Sequence, residues 1–321
     1  MCIALWSLEH PDYALILGAN RDEFLARPTQ AAHFHAFGES GDGVLSGIDI
    51  RAGGTWLGIN RDGRVAVLTN IREDPQRYTT SRGDLANNFL MTHPDSALGD
   101  YLADLSGRAD AYAGFNLLLF APSGKGSPAS FDAALATNLG GGGRIVYRHL
   151  DADERSCGGI SNGVDGQGGE SWPKVLEARQ CLQPILQHQT SRDRGEQDVH
   201  LVNSLFQVLS HEHAEPIAAR EDLRKTIQVP LINVQGVPNL AGPIPATQSA
   251  AQVGQLWYGT RLATVILIRR DGEVLFVERD VYQLGSDGIP HNVSIADGGI
   301  RPFAESDDAP ERIHRFRIPS S

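Results

Sequence analysis

Apolar positions follow two rhythms along this chain. Short apolar runs at 2–8 and 14–19 flank the turn-forming His10-Pro11-Asp12 and predict an antiparallel strand pair. Residues 44–50, 55–60 and 64–70 continue as strands, with Arg61-Asp62-Gly63 as a hairpin turn between the last two. After Asn70 the strand alternation stops. Residues 81–91 and 95–105 carry apolar positions three and four apart, the spacing of one buried helix face, and Asp95 is placed to cap the second helix. An unbroken apolar run at 115–121 predicts a buried strand, and the Gly, Ser and Pro residues of 122–129 predict a loop.

Strand alternation returns at 144–150, followed by a glycine-rich loop over 158–169. Residues 172–182 and 198–211 read as helices, and Pro184 is expected to end or kink the first. Residues 226–260 contain no Asp, Glu, Lys or Arg. Pro230, Pro238, Pro243 and Pro245 exclude a membrane-spanning helix there, so the segment is expected to be an irregular connection. Runs at 262–268 and 273–278 then flank Arg270-Asp271-Gly272, a hairpin signal, and 312–318 alternates charged with apolar residues as an edge strand does. Strands, helices, strands, helices, strands is the order of an α+β protein, not of a doubly wound one. The chain is expected to form a single domain over 1–321, with the irregular connection around 226–260.

Composition narrows the classes. With 41% hydrophobic residues and 28 Lys+Arg against 39 Asp+Glu, the 321-residue chain has a net charge of −11 and the profile of a soluble globular protein. It has no electrostatic footprint of a nucleic-acid or anionic-membrane binder. Cys2, Cys157 and Cys181 are too few for a disulfide framework, which points to a reducing, cytoplasmic setting. The first ten residues lack a basic n-region, so no secretory signal is expected, and no stretch predicts a transmembrane segment. His33-x-His35 and His211-x-His213 lack matched Cys, Asp or Glu partners, so no metal site is expected.

The candidate chemistry starts at Cys2. A small second residue generally permits removal of the initiator Met1, which would leave a thiol and a free α-amine on one residue. That amine ordinarily titrates at about 7.7–8.0 and is a base within reach of the thiol proton. A cysteine in an apolar strand also serves as a plain buried residue. The cluster Asn20-Arg21-Asp22-Glu23 follows the second apolar run, and a hairpin would bring it beside Cys2. Asp22 is suited to orient the amine and Arg21 to favour a thiolate. A charged strand end facing solvent gives the same pattern.

Met1-Cys2 and Asn20-Arg21-Asp22-Glu23 resemble the NRDE family, also called the transport and Golgi organisation protein 2 family. The resemblance continues through Arg27-Pro28, Leu45-Ser46-Gly47, Gly53-Gly54-Thr55-Trp56-Leu57-Gly58, Leu68-Thr69-Asn70, Ser81-Arg82-Gly83 and Gly114-Phe115-Asn116-Leu117. It ends with Gly159-Ile160-Ser161-Asn162, Trp172-Pro173 and Tyr258-Gly259-Thr260-Arg261, and so spans nearly the whole chain.

That family is distantly similar to the N-terminal-nucleophile hydrolases, nearest the branch of choloylglycine hydrolase and penicillin V acylase. The resemblance implies a four-layer αββα sandwich. It also implies a site with Cys2 as nucleophile, Asp22 near its amine, Asn70 and Asn162 as oxyanion or positioning amides, and Arg261 completing it, with Asn20, Arg21 and Glu23 in support. Both asparagines also suit backbone-bonding turns, and Arg261 also suits a plain ion pair. One departure is plain: hydrolases of that branch usually carry Arg three residues before the Asp, and here that residue is Ala19.

The implied function is handling of lipid, acyl-CoA or haem, linked to Golgi organisation, secretion, lipid homeostasis and mitochondrial haem export. The alternative is an N-terminal cysteine amidase or acyl hydrolase acting on a lipid-like or acylated small molecule. No cofactor is required by either, and haem or acyl-CoA would enter as a ligand. The expected partner is a small hydrophobic or acylated ligand, and the expected location is cytoplasmic with Golgi or mitochondrial association.

Overall fold

A computed structural model describes residues 2–37, 41–73, 78–124, 130–187, 193–237, 257–293 and 310–319. Strands β1 (Ile3–Ser7) and β2 (Tyr13–Phe24) form the N-terminal hairpin, with Ile3 opposite Asn20. Seven strands then pair antiparallel in sequence order: β3 (Thr29–His35), β4 (Val44–Asp49), β5 (Leu57–Asn60), β6 (Val65–Asn70), β7 (Phe115–Pro122), β8 (Phe131–Thr137) and β9 (Val146–His149). Between β6 and β7 the chain leaves this sheet for helices α1 (Gly83–Leu90) and α2 (Leu98–Gly107).

A short helix, α3 (Ala152–Ser156), leads back to the first sheet, where β10 (Gly158–Ile160) pairs with β1. Helices α4 (Pro173–Gln187) and α5 (Arg194–Leu209) follow. The chain closes with β11 (Ile232–Asn233), β12 (Trp257–Arg269), β13 (Glu273–Asp280), the small hairpin β14 (Tyr282–Leu284) and β15 (Pro290–Asn292), and β16 (Glu311–Arg317). The first sheet runs β10-β1-β2-β12-β13-β16, with β11 on β12 and β16 at the predicted edge.

Alternation along the strands sorts side chains into three apolar layers. Ala4, Trp6, Leu15 and Leu17 of the first sheet meet Leu45, Ile59, Val67 and Phe120 of the second. The opposite face of the first sheet, Ile3, Leu5 and Ile16, packs under Ala178 and Leu182 of α4 and Leu201 and Leu205 of α5. The outer face of the second sheet, Ala66, Leu117 and Leu119, packs under Leu85 and Phe89 of α1 and Leu102 of α2. The result is the expected α+β architecture, a four-layer αββα sandwich.

Several elements depart from expectation. β2 does not stop at the end of its apolar run but continues through Glu23, because β12 hydrogen-bonds alongside it from Tyr258 to Arg269. β3 and β8 were not predicted. β3 carries polar, half-exposed residues, and β8 is alanine-rich, so neither has a strand signature in sequence. The cap of α2 is Ala97 rather than Asp95. α4 runs through Pro184, where the missing N–H removes only one bond near the helix end while Ala178 and Leu182 hold the helix on the sheet. Part of the glycine-rich segment is strand β10. Residues 257–260, expected in the irregular connection, open β12, and 238–256 lie outside the described residues, as do 125–129 of the predicted loop. No helix among the described residues is long and apolar enough to cross a membrane.

One contact shapes the later site. The loop before β5 meets the start of α1 backbone to backbone, so a Cβ on Gly54 would lie 2.7 Å from the Cα of Gly83. Gly54→Ala is therefore expected to destabilise the fold by about 1–3 kcal/mol. A lower urea midpoint at unchanged slope checks this.

Candidate active site

The Ile3–Asn20 pairing sets Cys2, just before β1, opposite Arg21 on β2. A cavity of about 440 Å³ opens there, and Cys2, Arg21, Asp22, Glu23 and Asn70 all line it. Five of the eight sequence-predicted residues thus converge. Asn20, Asn162 and Arg261 do not line the cavity.

Each of those three has a definable place. Asn20 Nδ2 donates to the carbonyls of Leu209 (2.8 Å) and Ile227 (3.1 Å), tying β2 to the end of α5. It supports the strand, not a ligand. Asn162 Nδ2 donates to the Asn70 carbonyl at 2.6 Å, so its amide fixes the backbone of the cavity-lining asparagine instead of facing the cavity. Arg261 occupies a β-bulge, the extra residue between the Asp22–Thr260 and Arg21–Leu262 pairs, which re-aims its side chain. Its Nη1 donates to Thr29 Oγ1 at 2.9 Å and to the Arg27 carbonyl, behind Arg21 rather than at the cavity. Burial, reinforced by the neighbouring Arg21 charge, lowers the Arg261 guanidinium to about 10.

The cavity wall itself is held by charge pairing. Arg21 Nη1 donates to Thr29 Oγ1 at 3.1 Å and its Nη2 lies 3.4 Å from Asp49 Oδ2. Its guanidinium stacks over Trp56 at 4.0 Å. Arg27 Nε donates to the same Asp49 oxygen at 2.6 Å, and Glu23 lies 3.8 Å from that Nε. Asp22 Oδ1 accepts from Thr260 Oγ1 at 2.6 Å, which fixes the carboxylate next to Cys2. Burial pushes the Cys2 thiol up, and Arg21 opposes that shift without outweighing it. Ala19 faces the core between the sheets, and Arg21, two residues further along β2, lines the cavity.

A strap after β10 positions the rest. Ser161 Oγ donates to the Cys2 carbonyl at 2.7 Å, while the Ser161 carbonyl accepts from Thr69 Oγ1 at 2.7 Å. Asn116 Nδ2 adds a bond to the Gly163 carbonyl at 2.8 Å. The nucleophile candidate and the end of β6 are therefore pinned by one short segment.

Sequence reasoning missed two charged residues here. Lys174, in the first turn of α4, is fully buried. Burial pushes its amine down, and the charges of Asp22 and Cys2 pull the other way. Its sequence signal is slight, a lysine following Trp172-Pro173 in an ordinary helical pattern. Arg82 lines the cavity and sits within the Ser81-Arg82-Gly83 match, which could have identified it. Cys157 and Cys181 are partly buried at the edge of the core under α4 and α5, away from the cavity.

The solved structures similar in shape include the Caenorhabditis elegans N-acylethanolamine-hydrolyzing acid amidase ortholog, with a TM-score of 0.46 at 9% identity, covering 83% of this chain and 92% of that one. A variant of conjugated bile acid hydrolase from Clostridium perfringens gives 0.47 at 8% identity over 100% and 98%. At these scores neither bears on what this chain does.

Sequence relatives are nearer. The bovine Transport and Golgi organization protein 2 homolog is 33% identical over 283 residues, 86% of this chain and 88% of that protein. The human homolog is 32% identical over 277 residues, 84% and 87% of the two chains. An uncharacterized protein of Saccharomyces cerevisiae is 29% identical over 338 residues, 99% and 100%. The sequence profile of the Transport and Golgi organisation 2 family matches residues 1–283, a span that holds every cavity-lining residue. The chain belongs to that family.

Proposed function

We propose that this protein is an N-terminal cysteine hydrolase that cleaves an amide or activated acyl bond in a small acylated molecule. The observation that carries the reading is the meeting of Cys2, Asp22 and Asn70 in the wall of one cavity. With Met1 removed, the α-amine of Cys2 accepts the thiol proton, and the sulfur attacks the acyl carbon. Asn70 donates to the oxygen as it gains charge. The ammonium then returns the proton to the leaving group, and water cleaves the thioester to free the acid and the thiol.

The test has two stages. Intact mass establishes loss of Met1, since a retained Met1 acylates the amine and removes the base. A p-nitrophenyl acyl ester is then expected to acylate Cys2 well ahead of Cys157 and Cys181, with Cys2→Ala abolishing that acylation while the unfolding midpoint holds. Equal labelling of the three thiols removes the hydrolase reading.

A second reading, a handling protein for lipid, acyl-CoA or haem acting in a reducing compartment in connection with the Golgi, is supported by the family's name and by the burial that disfavours a Cys2 thiolate. Titration with haem and with a long-chain acyl-CoA tests it. No saturable binding of either above a denatured control would remove it.

A further inference from the structure

The three carboxylates that line the cavity are already engaged. Asp49 holds Arg21 and Arg27, Glu23 Oε1 accepts from the Phe24 N–H at 2.8 Å, and Asp22 accepts from Thr260. Arg82 is different. Its Nη1 donates to the Gly114 carbonyl at 3.0 Å, and among the described residues it makes no direct ion pair, Glu73 and Glu23 acting on it through space. Burial works against this guanidinium, and Glu73 and Glu23 offset its charge with no direct contact, so a compact anion in the cavity would be the first group to pair with it directly. Ser81 lines the cavity beside it, and its Oγ accepts from the Gly83 N–H, which leaves the hydroxyl proton to donate. The cavity-lining charges balance, Arg21, Arg27 and Arg82 against Asp22, Glu23 and Asp49, in a chain that carries a net −11.

We infer that the cavity takes acylated molecules that also bear a compact anionic group, a carboxylate or a phosphate, seated on Arg82 with Ser81 beside it. This inference rests on the reading of the cavity as the place where the Cys2 thiol reacts. Arg82 is then a specificity-determining residue. It selects molecules whose anion lies within the cavity when the acyl carbon is at Cys2, and discriminates against neutral isosteres, because a charge-assisted pair in a partly dry site is lost with the charge.

The test uses the full chain and three matched alkylating probes: N-chloroacetylglycine, its neutral glycinamide counterpart, and N-chloroacetyl aminomethylphosphonate. In each reaction the Cys2 Sγ–C bond forms as the C–Cl bond breaks, chloride leaves, and the thiol proton passes to solvent. Peptide mapping gives the rate at each cysteine, with Cys157 and Cys181 as internal references. The carboxylate probe is expected to react about 10–100-fold faster than the carboxamide at Cys2, and no faster at the other two. Arg82→Gln is expected to bring the Cys2 ratio down to that of the reference cysteines, and Arg82→Lys to keep part of it.

A ratio near one at Cys2, or one unmoved by Arg82→Gln, overturns the inference while leaving the hydrolase reading intact. Slow labelling of Cys2 by all three probes overturns that reading instead. A phosphonate faster than the carboxylate assigns the anion as a phosphate, and the reverse assigns it as a carboxylate.

Discussion

Asn70→Ala is expected to slow acylation of Cys2 by a p-nitrophenyl ester about 10²–10³-fold, the loss measured when one oxyanion donor is removed elsewhere. The fold should scarcely notice. The Asn70 side chain is exposed at the end of β6, and the bond that Asn162 makes goes to the Asn70 carbonyl, which alanine retains. Stopped-flow acylation and urea unfolding on the same variant separate the two effects. A rate within threefold of the parent would take Asn70 out of the chemistry. Asn162→Ala should behave differently, losing both rate and stability, because its buried amide holds the backbone that aims Asn70.

The largest effect on stability is expected from Asp198→Ala. Asp198 lies buried in α5, where it accepts from the Tyr13 hydroxyl at 2.7 Å and from Arg269 Nη2 at 2.7 Å, with Arg315 at 3.4 Å. Tyr13, Arg269 and Arg315 come from β2, β12 and β16, so one carboxylate ties α5 to three strands of the first sheet. Alanine would leave Arg269 buried without its counter-charge, a change that costs about 3–5 kcal/mol. A urea midpoint unchanged within error would mean that water replaces the carboxylate. Arg269 lies on the strand that pairs with Asp22, but more than two turns of the pleat away, so the acylation rate of the folded variant should stay near the parent's.

The layers were legible because strand and helix periods report which face of an element is buried. The β1–β2 hairpin and the β12–β13 hairpin follow directly from apolar runs around turn residues. What periodicity does not encode is the element across the layer. β2 continues through Arg21–Glu23 only because β12 lies beside it, and β12 begins about 240 residues further along the chain.

The candidate site divides the same way. Cys2 and Asn70 stand at strand ends and Asp22 two residues from one, and all three line the cavity. Arg261 was assigned by order in the chain, and a single bulge places it one shell back, on Thr29. Lys174 went unnoticed because a buried lysine and a solvated one are the same letter in an amphipathic pattern, and only the fold brings Asp22 near it.

Ser161 holds the carbonyl of Cys2, and Asn162, the next residue, holds the carbonyl of Asn70. Two neighbouring side chains thus act as the jaws of a caliper. If the strap shifts, Cys2 and Asn70 are carried together, so their separation is conserved even while their access to the cavity changes. Drift in this segment would then alter which molecules the cavity admits before it degraded the spacing between these two residues.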